Sequence, residues 1–157
     1  MVKNFRFVIG IFLLSSLVAC QTIPLSEQNT IHSDHQWNNA KPEKYQFNIT
    51  DTNSKYKVIF VIRHHNAYHY KNIWIELGTT LPGEKTQTQS FNLNLADDQK
   101  GWLGTGMGDI YDQRIPLTAK PIQLKYGLNE FTIRHTMRED PLQNILSTGI
   151  RIEKIPK

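Results

Sequence analysis

The longest uninterrupted apolar run after residue 20 lies at residues 58–62, and it constrains the fold more than any other feature of the chain. The run reads Val-Ile-Phe-Val-Ile and is bounded by Lys57 and Arg63. Neighbouring side chains of a strand point to opposite faces of its sheet, so a strand that is apolar throughout is covered on both faces. The sequence therefore predicts a central strand at residues 56–64.

Shorter segments on either side of this run alternate apolar with polar residues, which is typical of strands with one buried face. Residues 43–51 and 87–95 show the pattern most clearly. Further strands are expected at residues 73–75, 115–119, 122–126, 131–138 and 149–155, with a single helical turn at 139–145. About seven to nine short strands with almost no helix predict an all-β protein, an antiparallel β-sandwich of Ig-like or jelly-roll topology.

The N-terminal region has the pattern of an export signal. Lys3 and Arg6 precede an apolar stretch at residues 7–18, which ends in Leu-Val-Ala-Cys at 17–20. A stretch of about a dozen apolar residues fits the core of a signal peptide, whereas a membrane-spanning helix needs roughly 20. The tetrad resembles the bacterial lipobox. Residues 1–19 are therefore predicted to be a lipoprotein signal peptide, with Cys20 as the lipidated first residue.

The predicted lipidation of Cys20 implies that acyl chains anchor the protein permanently in a membrane. Cys20 is the only cysteine of the chain, so a disulfide within the chain is excluded. Two or more acyl chains anchor a protein stably, whereas one anchors it weakly. Gln21 stands where an aspartate typically retains lipoproteins in the inner membrane, and no acidic export tag follows. The expected location is the outer membrane, on its periplasmic face.

The remaining chain is expected to form one small domain on a tether. Residues 20–42 are rich in polar residues and interrupted by prolines, so they are predicted to be a lipidated tether, with Trp37 packing as a lid. The β-sandwich is predicted at residues 43–157. Without Lys3 and Arg6 the formal net charge falls from +4 to +2, and the basic residues form no stripe. No nucleic-acid partner is therefore expected.

The densest cluster of unusual residues lies at residues 97–117. It holds four glycines and four aspartates around Trp102 and Tyr111: Gly101, Gly104, Gly106, Gly108, Asp97, Asp98, Asp109 and Asp112. Four glycines so close together weaken any regular strand. The segment is therefore either a structured connection that turns tightly or a recognition loop.

The aspartates, the histidines and the glycine-rich segment are the candidate ligands for a metal or a cofactor, and each also has a structural explanation. Asp97, Asp98, Asp109 and Asp112 are oxygen ligands of the type that Ca²⁺ prefers, but their spacing matches no EF-hand, and turn capping explains them as well. His64, His65 and His69 are close in sequence, yet His64 and His65 point to opposite faces if they lie on a strand. His32 and His35 lack further ligands nearby, and the glycine-rich segment lacks the Lys-Ser/Thr of a phosphate loop. No metal or cofactor is predicted.

No catalytic motif stands out. The chain has no G-x-S-x-G elbow, and its single cysteine is assigned to the lipid. A triad drawn from Ser54, Ser90, Ser147, Asp109 and His135, or a carboxylate pair from Asp97 and Asp112, has no pattern that favours it over chance. A non-enzymatic protein is therefore favoured.

Taken together, these motifs resemble those of the GldH family of gliding-motility lipoproteins. The resemblance lies in the lipobox Cys20, in Trp37, and in the pattern Asp97-x₃-Gly-Trp-x-Gly-x-Gly-x-Gly-Asp-x-Tyr-Asp that ends at Asp112. It extends to Arg63, Asn66, Tyr68, Tyr70, Asn72 and Ile73, where His69 replaces the usual proline, and to the C-terminal run Gly-Ile-Arg-Ile-Glu-Lys at 149–154. It implies a role in the envelope machinery of gliding bacteria, with protein partners there and no assigned catalytic residues.

Two classes of function follow. In the first, the protein docks on envelope partners through Asp97, Trp102, Asp109, Tyr111 and Asp112. In the second, it is a glycan- or peptidoglycan-binding module in which Trp102, Tyr111 and Trp74 stack on sugars. A sugar platform needs coplanar rings that face solvent, so the exposure and orientation of these rings discriminate the two.

Overall fold

The computed structural model describes residues 25–155, and within them every regular element is a β-strand. The strands are β1 (Leu25–Ile31), β2 (Gln36–Trp37), β3 (Glu43–Ile49), β4 (Lys55–His65), β5 (Asn72–Thr80), β6 (Gln87–Asn94), β7 (Ala96–Asp97), β8 (Gly101–Trp102), β9 (Thr105–Met107), β10 (Ile110–Pro116), β11 (Gly127–His135), β12 (Leu142–Gln143) and β13 (Ile145–Ile155). In this part of the chain no helix is long and apolar enough to cross a membrane.

Nine of these strands form two antiparallel sheets. The larger has the order β1-β13-β4-β10-β9 and the smaller the order β3-β11-β5-β6, while β2 pairs with β12 and β7 with β8. The core between the sheets is aliphatic and aromatic, with Phe60, Phe131 and Ile75 fully buried. The predicted all-β, antiparallel sandwich is confirmed.

β4 occupies the centre of the larger sheet, between β13 and β10, as its apolar run predicted. Phe60 and Ile62 point into the sandwich core and are fully buried. Ile59 and Val61 are also buried, although they lie on the other face. That face is covered by long side chains rather than by a further layer, because Ile59 pairs with Arg151 on β13 and Val61 with Arg114 on β10.

The predicted tether at residues 20–42 is wrong over most of its length. β1 pairs with β13 from Leu25 to Ile31, so residues that the prediction placed in the tether already belong to the larger sheet. The Gln28 side chain donates to the Gln46 carbonyl and accepts from the Gln46 N–H, which joins β1 to the edge strand β3. Trp37 is 1% exposed and stacks near Phe60 in the core, as a lid would.

Two further expectations are corrected. Residues 139–145 contain no helical turn, because Leu142 is fully buried and pairs with Trp37 as part of a short strand. Residues 122–126 form no strand: Ile122 makes only an isolated bridge to Tyr56. In both places an apolar residue packs on the core from an irregular backbone, Leu142 fully buried and Ile122 partly buried, which a local pattern does not reveal.

The sandwich has two ends, which differ in composition. We call one the Leu25 end: it contains Leu25, Ile155 and the loops at 50–54, 81–86 and 117–126, and its loops are joined by bonds such as Gln123 to Thr52. The opposite, glycine-rich end contains the segments 32–42, 66–71, 95–109 and 136–144. These segments are joined by bonds such as Asn66 to Asp109 and Asn144 to Ala67.

Candidate functional site

The glycine-rich end is built from two small hairpins, β7–β8 and β9–β10, which fold over the last residues of β4. Gly104 has a φ of 86°, and a Cβ there would meet the backbone oxygen of Asp112. Gly106 has no positive φ, but its Cβ would lie 2.8 Å from the ring of Tyr111, with which it pairs across the hairpin. The glycines therefore serve tight turns and close packing.

His64 is the centre of an aromatic cluster at this end. Its imidazole is fully buried and meets Trp102 edge-on with ring centroids 4.7 Å apart. Tyr111 stacks on it at 5.8 Å, and Tyr68 lies at 5.7 Å from it. Trp102 and Tyr111 also contact each other at 6.1 Å. The cluster ties both hairpins to β4, so the surface outside it has a fixed shape.

Hydrogen bonds assign a single tautomer to His64. The side-chain amide of Gln113 donates to the Leu95 carbonyl at 2.8 Å and to Nε2 of His64 at 3.3 Å. Because Nε2 accepts, Nδ1 carries the proton and donates to the His65 carbonyl at 3.0 Å. Burial lowers the pKa of His64, so the ring is neutral at neutral pH. Both ring nitrogens have partners, which leaves neither for a metal.

Asp112 and Asp109 are held by residues of β4 and of the loop that follows it. Arg63 donates to the two carboxylate oxygens of Asp112 at 2.7 and 2.9 Å, and this pair holds the pKa of Asp112 below its usual value. Asn66 donates its side-chain amide to Asp109 at 2.8 Å and its backbone N–H to the Asp109 carbonyl at 2.7 Å. Asp109 is exposed, whereas Asp112 is half-buried.

Asp97 and Asp98 have different partners. Asp97 accepts hydrogen bonds from the backbone of Gln99 at 2.9 Å and of Lys100 at 3.0 Å, so it caps the β7–β8 turn. Asp98 forms an ion pair with Lys71. Each of the four aspartates therefore has contacts of its own, and the four carboxylates do not share a common partner. Among residues 25–155, no three His, Cys, Asp or Glu side chains gather as a metal site would require.

The rings at the glycine-rich end do not form a sugar platform. Trp102 and Tyr111 are half-buried, and their planes are inclined by 43°. Trp74 is 45% exposed, but it lies on the outer face of the smaller sheet and is not part of the cluster. The coplanar arrangement that glycan stacking requires is therefore absent from this cluster.

The candidate catalytic residues are dispersed. Ser54 is buried at the Leu25 end and donates to Asp51, whereas Asp109 lies at the opposite end. Nε2 of His135 is 2.9 Å from the Trp37 carbonyl in the core. Of the three neighbouring histidines, His64 is buried, while His69 is exposed and lies 3.6 Å from Glu139. These residues form no common site.

The structure brings Trp102 and Tyr111 into one contact cluster, with Asp112 and Asp109 on the same hairpin and Asp97 in the turn beside Trp102. Sequence reasoning did not predict the roles of His64, Gln113 and Tyr68 as the support beneath them. The pattern Arg63, Asn66, Tyr68 in the sequence could have indicated this support, because all three residues contact the glycine-rich segment. The bond from Gln113 to His64 had no signal in the sequence.

Comparison with known proteins identifies the family. The model of the GldH lipoprotein family matches residues 25–152. A curated relative, the gliding motility lipoprotein GldH of Flavobacterium johnsoniae, is 21% identical over 125 residues, which cover 75% of this chain and 77% of the relative.

Among solved structures, the dimeric latent PorU of Porphyromonas gingivalis aligns with a TM-score of 0.32 and 8% identity. The alignment covers 87% of this chain and only 14% of that protein. The family match, by contrast, covers nearly all of the described residues, including the glycine-rich segment and its support. The chain therefore belongs to the GldH lipoprotein family.

Proposed function

We propose that the protein is a non-enzymatic outer-membrane lipoprotein, an accessory component of a gliding-motility or related envelope machinery that acts through protein–protein contacts. Its family and the name of its Flavobacterium relative support the association with motility. Asp97, Trp102, Asp109, Tyr111 and Asp112 belong to the proposed docking surface, and no cofactor takes part.

Cys20 supplies the proposed anchor, on the periplasmic face of the outer membrane. It lies outside the described residues, so its support is the lipobox at 17–20 together with the family. Cys20→Ser is expected to leave the protein uncleaved or released from the membrane. Fractionation of the envelope checks this, and membrane retention of processed Cys20→Ser protein would contradict it.

One observation carries the docking proposal: the glycine-rich segment is folded onto a buried support and still exposes polar and apolar side chains. Met107 is 84% exposed and lies between the exposed residues Gly106 and Gly108. Asp109 adds a carboxylate next to them, held in place by Asn66. A surface whose backbone and carboxylates are already ordered loses little conformational entropy when a partner binds.

The double variant Asp109→Ala plus Asp112→Ala tests this surface. It is expected to lose capture of envelope partners in a pull-down from detergent-solubilised cells while it keeps a cooperative unfolding transition. Asp51→Ala plus Glu84→Ala is the matched control, since it likewise removes two carboxylates, which here pair with Lys154 and Lys125 at the Leu25 end. An unchanged partner set from the folded Asp109/Asp112 variant would refute the docking proposal.

A further inference from the structure

We propose that the Leu25 end lies against the bilayer and binds its anionic phospholipid headgroups through exposed lysines and Tyr126. This inference rests on the lipid anchor proposed above and goes beyond it, because an anchor alone does not specify which surface of the domain meets the membrane.

The length of chain between the anchor and the domain restricts the orientation. Only residues 21–24 separate Cys20 from Leu25, where β1 begins. At about 3.3–3.6 Å per residue, five steps from Cys20 to Leu25 span at most about 18 Å. β1 is paired with β13 along its whole length, so this distance cannot increase without breaking the sheet. Leu25 therefore stays close to the headgroups.

Charge distinguishes the end that holds Leu25. Its loops carry three lysines against two carboxylates, Lys85, Lys120 and Lys125 against Asp51 and Glu84, and the adjoining strand ends add Lys55 and Lys154 against Glu153. The segments of the glycine-rich end carry the opposite excess. There, six carboxylates face four cations: Asp34, Asp97, Asp98, Asp109, Glu139 and Asp140 against Lys41, Lys71, Lys100 and Arg138. An anionic bilayer therefore attracts the Leu25 end and repels the other.

Three of these lysines are available for headgroups. Lys154 forms an ion pair with Asp51, and Lys125 one with Glu84 at 2.7 Å. Lys55, Lys85 and Lys120 are exposed and form no ion pair with the described residues. The three lie on separate elements, β4, the β5–β6 loop and the β10–β11 loop, so they spread over the end of the sandwich.

Apolar side chains complete the surface. Tyr126 is 72% exposed and directly precedes Gly127, which has a φ of 97°. Leu25 is 49% exposed at the point where the tether enters. A tyrosine has an apolar ring and a polar hydroxyl, a combination enriched at membrane–water interfaces. At the glycine-rich end the tyrosines and Trp102 instead pack on one another around His64.

The test uses the mature, lipidated chain reconstituted into vesicles of phosphatidylethanolamine and phosphatidylglycerol. Because the Cys20 thiol carries the lipid, Tyr126→Cys or Met107→Cys supplies the single thiol for a fluorophore. Both positions are largely exposed, at 72% and 84%, and they lie at opposite ends. We expect a headgroup-bound quencher to reduce the fluorescence at position 126 at least threefold more than at 107.

Charge reversal separates headgroup binding from simple proximity. Lys85→Glu plus Lys120→Glu is expected to reduce quenching at position 126, as are vesicles of phosphatidylcholine alone. Lys41→Glu plus Lys100→Glu, at the glycine-rich end, is the matched control and is expected to leave it unchanged. Equal or stronger quenching at 107 would overturn the orientation, and insensitivity to Lys85/Lys120 reversal would overturn headgroup binding. A chain that washes off the vesicles would overturn the anchor itself, and this inference with it.

Discussion

The two ends of the sandwich are made of similar residue types that are used in opposite ways. At the glycine-rich end, Trp102 and Tyr111 turn inward onto a buried, neutral His64, and Asp112 is held by Arg63. At the Leu25 end, Tyr126 points into solvent. The difference shows that a ring or a charge in a loop can hold the loop in place instead of contacting a partner directly. At the glycine-rich end, the side chains left exposed beside the packed rings, such as Met107 and Asp109, are the ones available to a partner.

The largest expected difference between the ends concerns two glycines. Gly104→Ala at the glycine-rich end has both a positive φ and a backbone oxygen in the place of the new Cβ, so we expect a loss of about 2–5 kcal/mol in the free energy of unfolding. Gly83→Ala, between β5 and β6, has a φ of 76° and nothing within 4 Å of the Cβ, so about 1–2 kcal/mol is expected. Denaturant unfolding of both variants measures the difference. Equal losses would show that Gly104 is not closely packed against β10.

The second comparison removes one aromatic side chain from each end. Trp102→Ala is expected to cost about 2 kcal/mol, less than the 3–5 kcal/mol of a fully buried aromatic residue, because Trp102 is half-buried against His64. Tyr126→Ala, at 72% exposure, is expected to change stability by no more than about 0.5 kcal/mol. Thermal or denaturant unfolding checks both values. A large loss for Tyr126→Ala would mean that the Leu25 end is packed rather than available.

The last expected effect is a pH dependence that arises at the glycine-rich end. Burial lowers the pKa of His64 from 6.5, so the unfolded chain takes up a proton as the pH falls below about 6.5 and the folded chain does not. The contribution of this histidine to stability is therefore complete above about pH 6.5, and below that pH it falls by up to about 1.4 kcal/mol per pH unit until the folded pKa is reached. Burial also lowers the pKa of His32 and of His135, so they add to the slope.

Replacing single histidines isolates the contribution of the cluster. His64→Gln is expected to make the decline between pH 6.5 and 5 shallower, when the free energy of unfolding is measured at a series of pH values. His69→Gln, which removes an exposed imidazole outside the cluster, is the matched control against which the slope of the His64 variant is compared. A slope that is the same in the His64 variant would contradict the buried, neutral assignment.

The fold was predictable where single strands carry the pattern. The apolar run at 58–62 predicted the central strand β4, and the alternation from Tyr45 to Ile49 predicted β3. β1 was not predictable, because its sequence Leu-Ser-Glu-Gln-Asn-Thr-Ile has no buried face of its own. It is held by backbone pairing with β13 and by the bonds of Gln28 to the backbone of Gln46, which are contacts between distant segments.

The candidate site was predictable in position but not in its internal arrangement. The glycines and aspartates marked the segment, and the alternative of a structured connection that turns tightly is consistent with the packing of Trp102 and Tyr111 around His64. The support could not be inferred, since the amide of Gln113 reaches His64 only after β10 pairs with β4. The four aspartates are close together in the sequence, but their contacts in the structure differ. One caps a turn, and the other three contact Lys71, Asn66 and Arg63.

In the arrangement that we propose, the glycine-rich end faces protein partners while the Leu25 end faces the membrane. Crosslinking in living cells tests it most directly, with a photo-reactive amino acid in place of Met107 in one strain and of Tyr126 in another. Both positions are exposed, so the reagent is accessible at each end. We expect discrete protein adducts from position 107 and lipid adducts without those protein bands from position 126. The same protein adducts from both positions, or protein adducts from 126 alone, would contradict it.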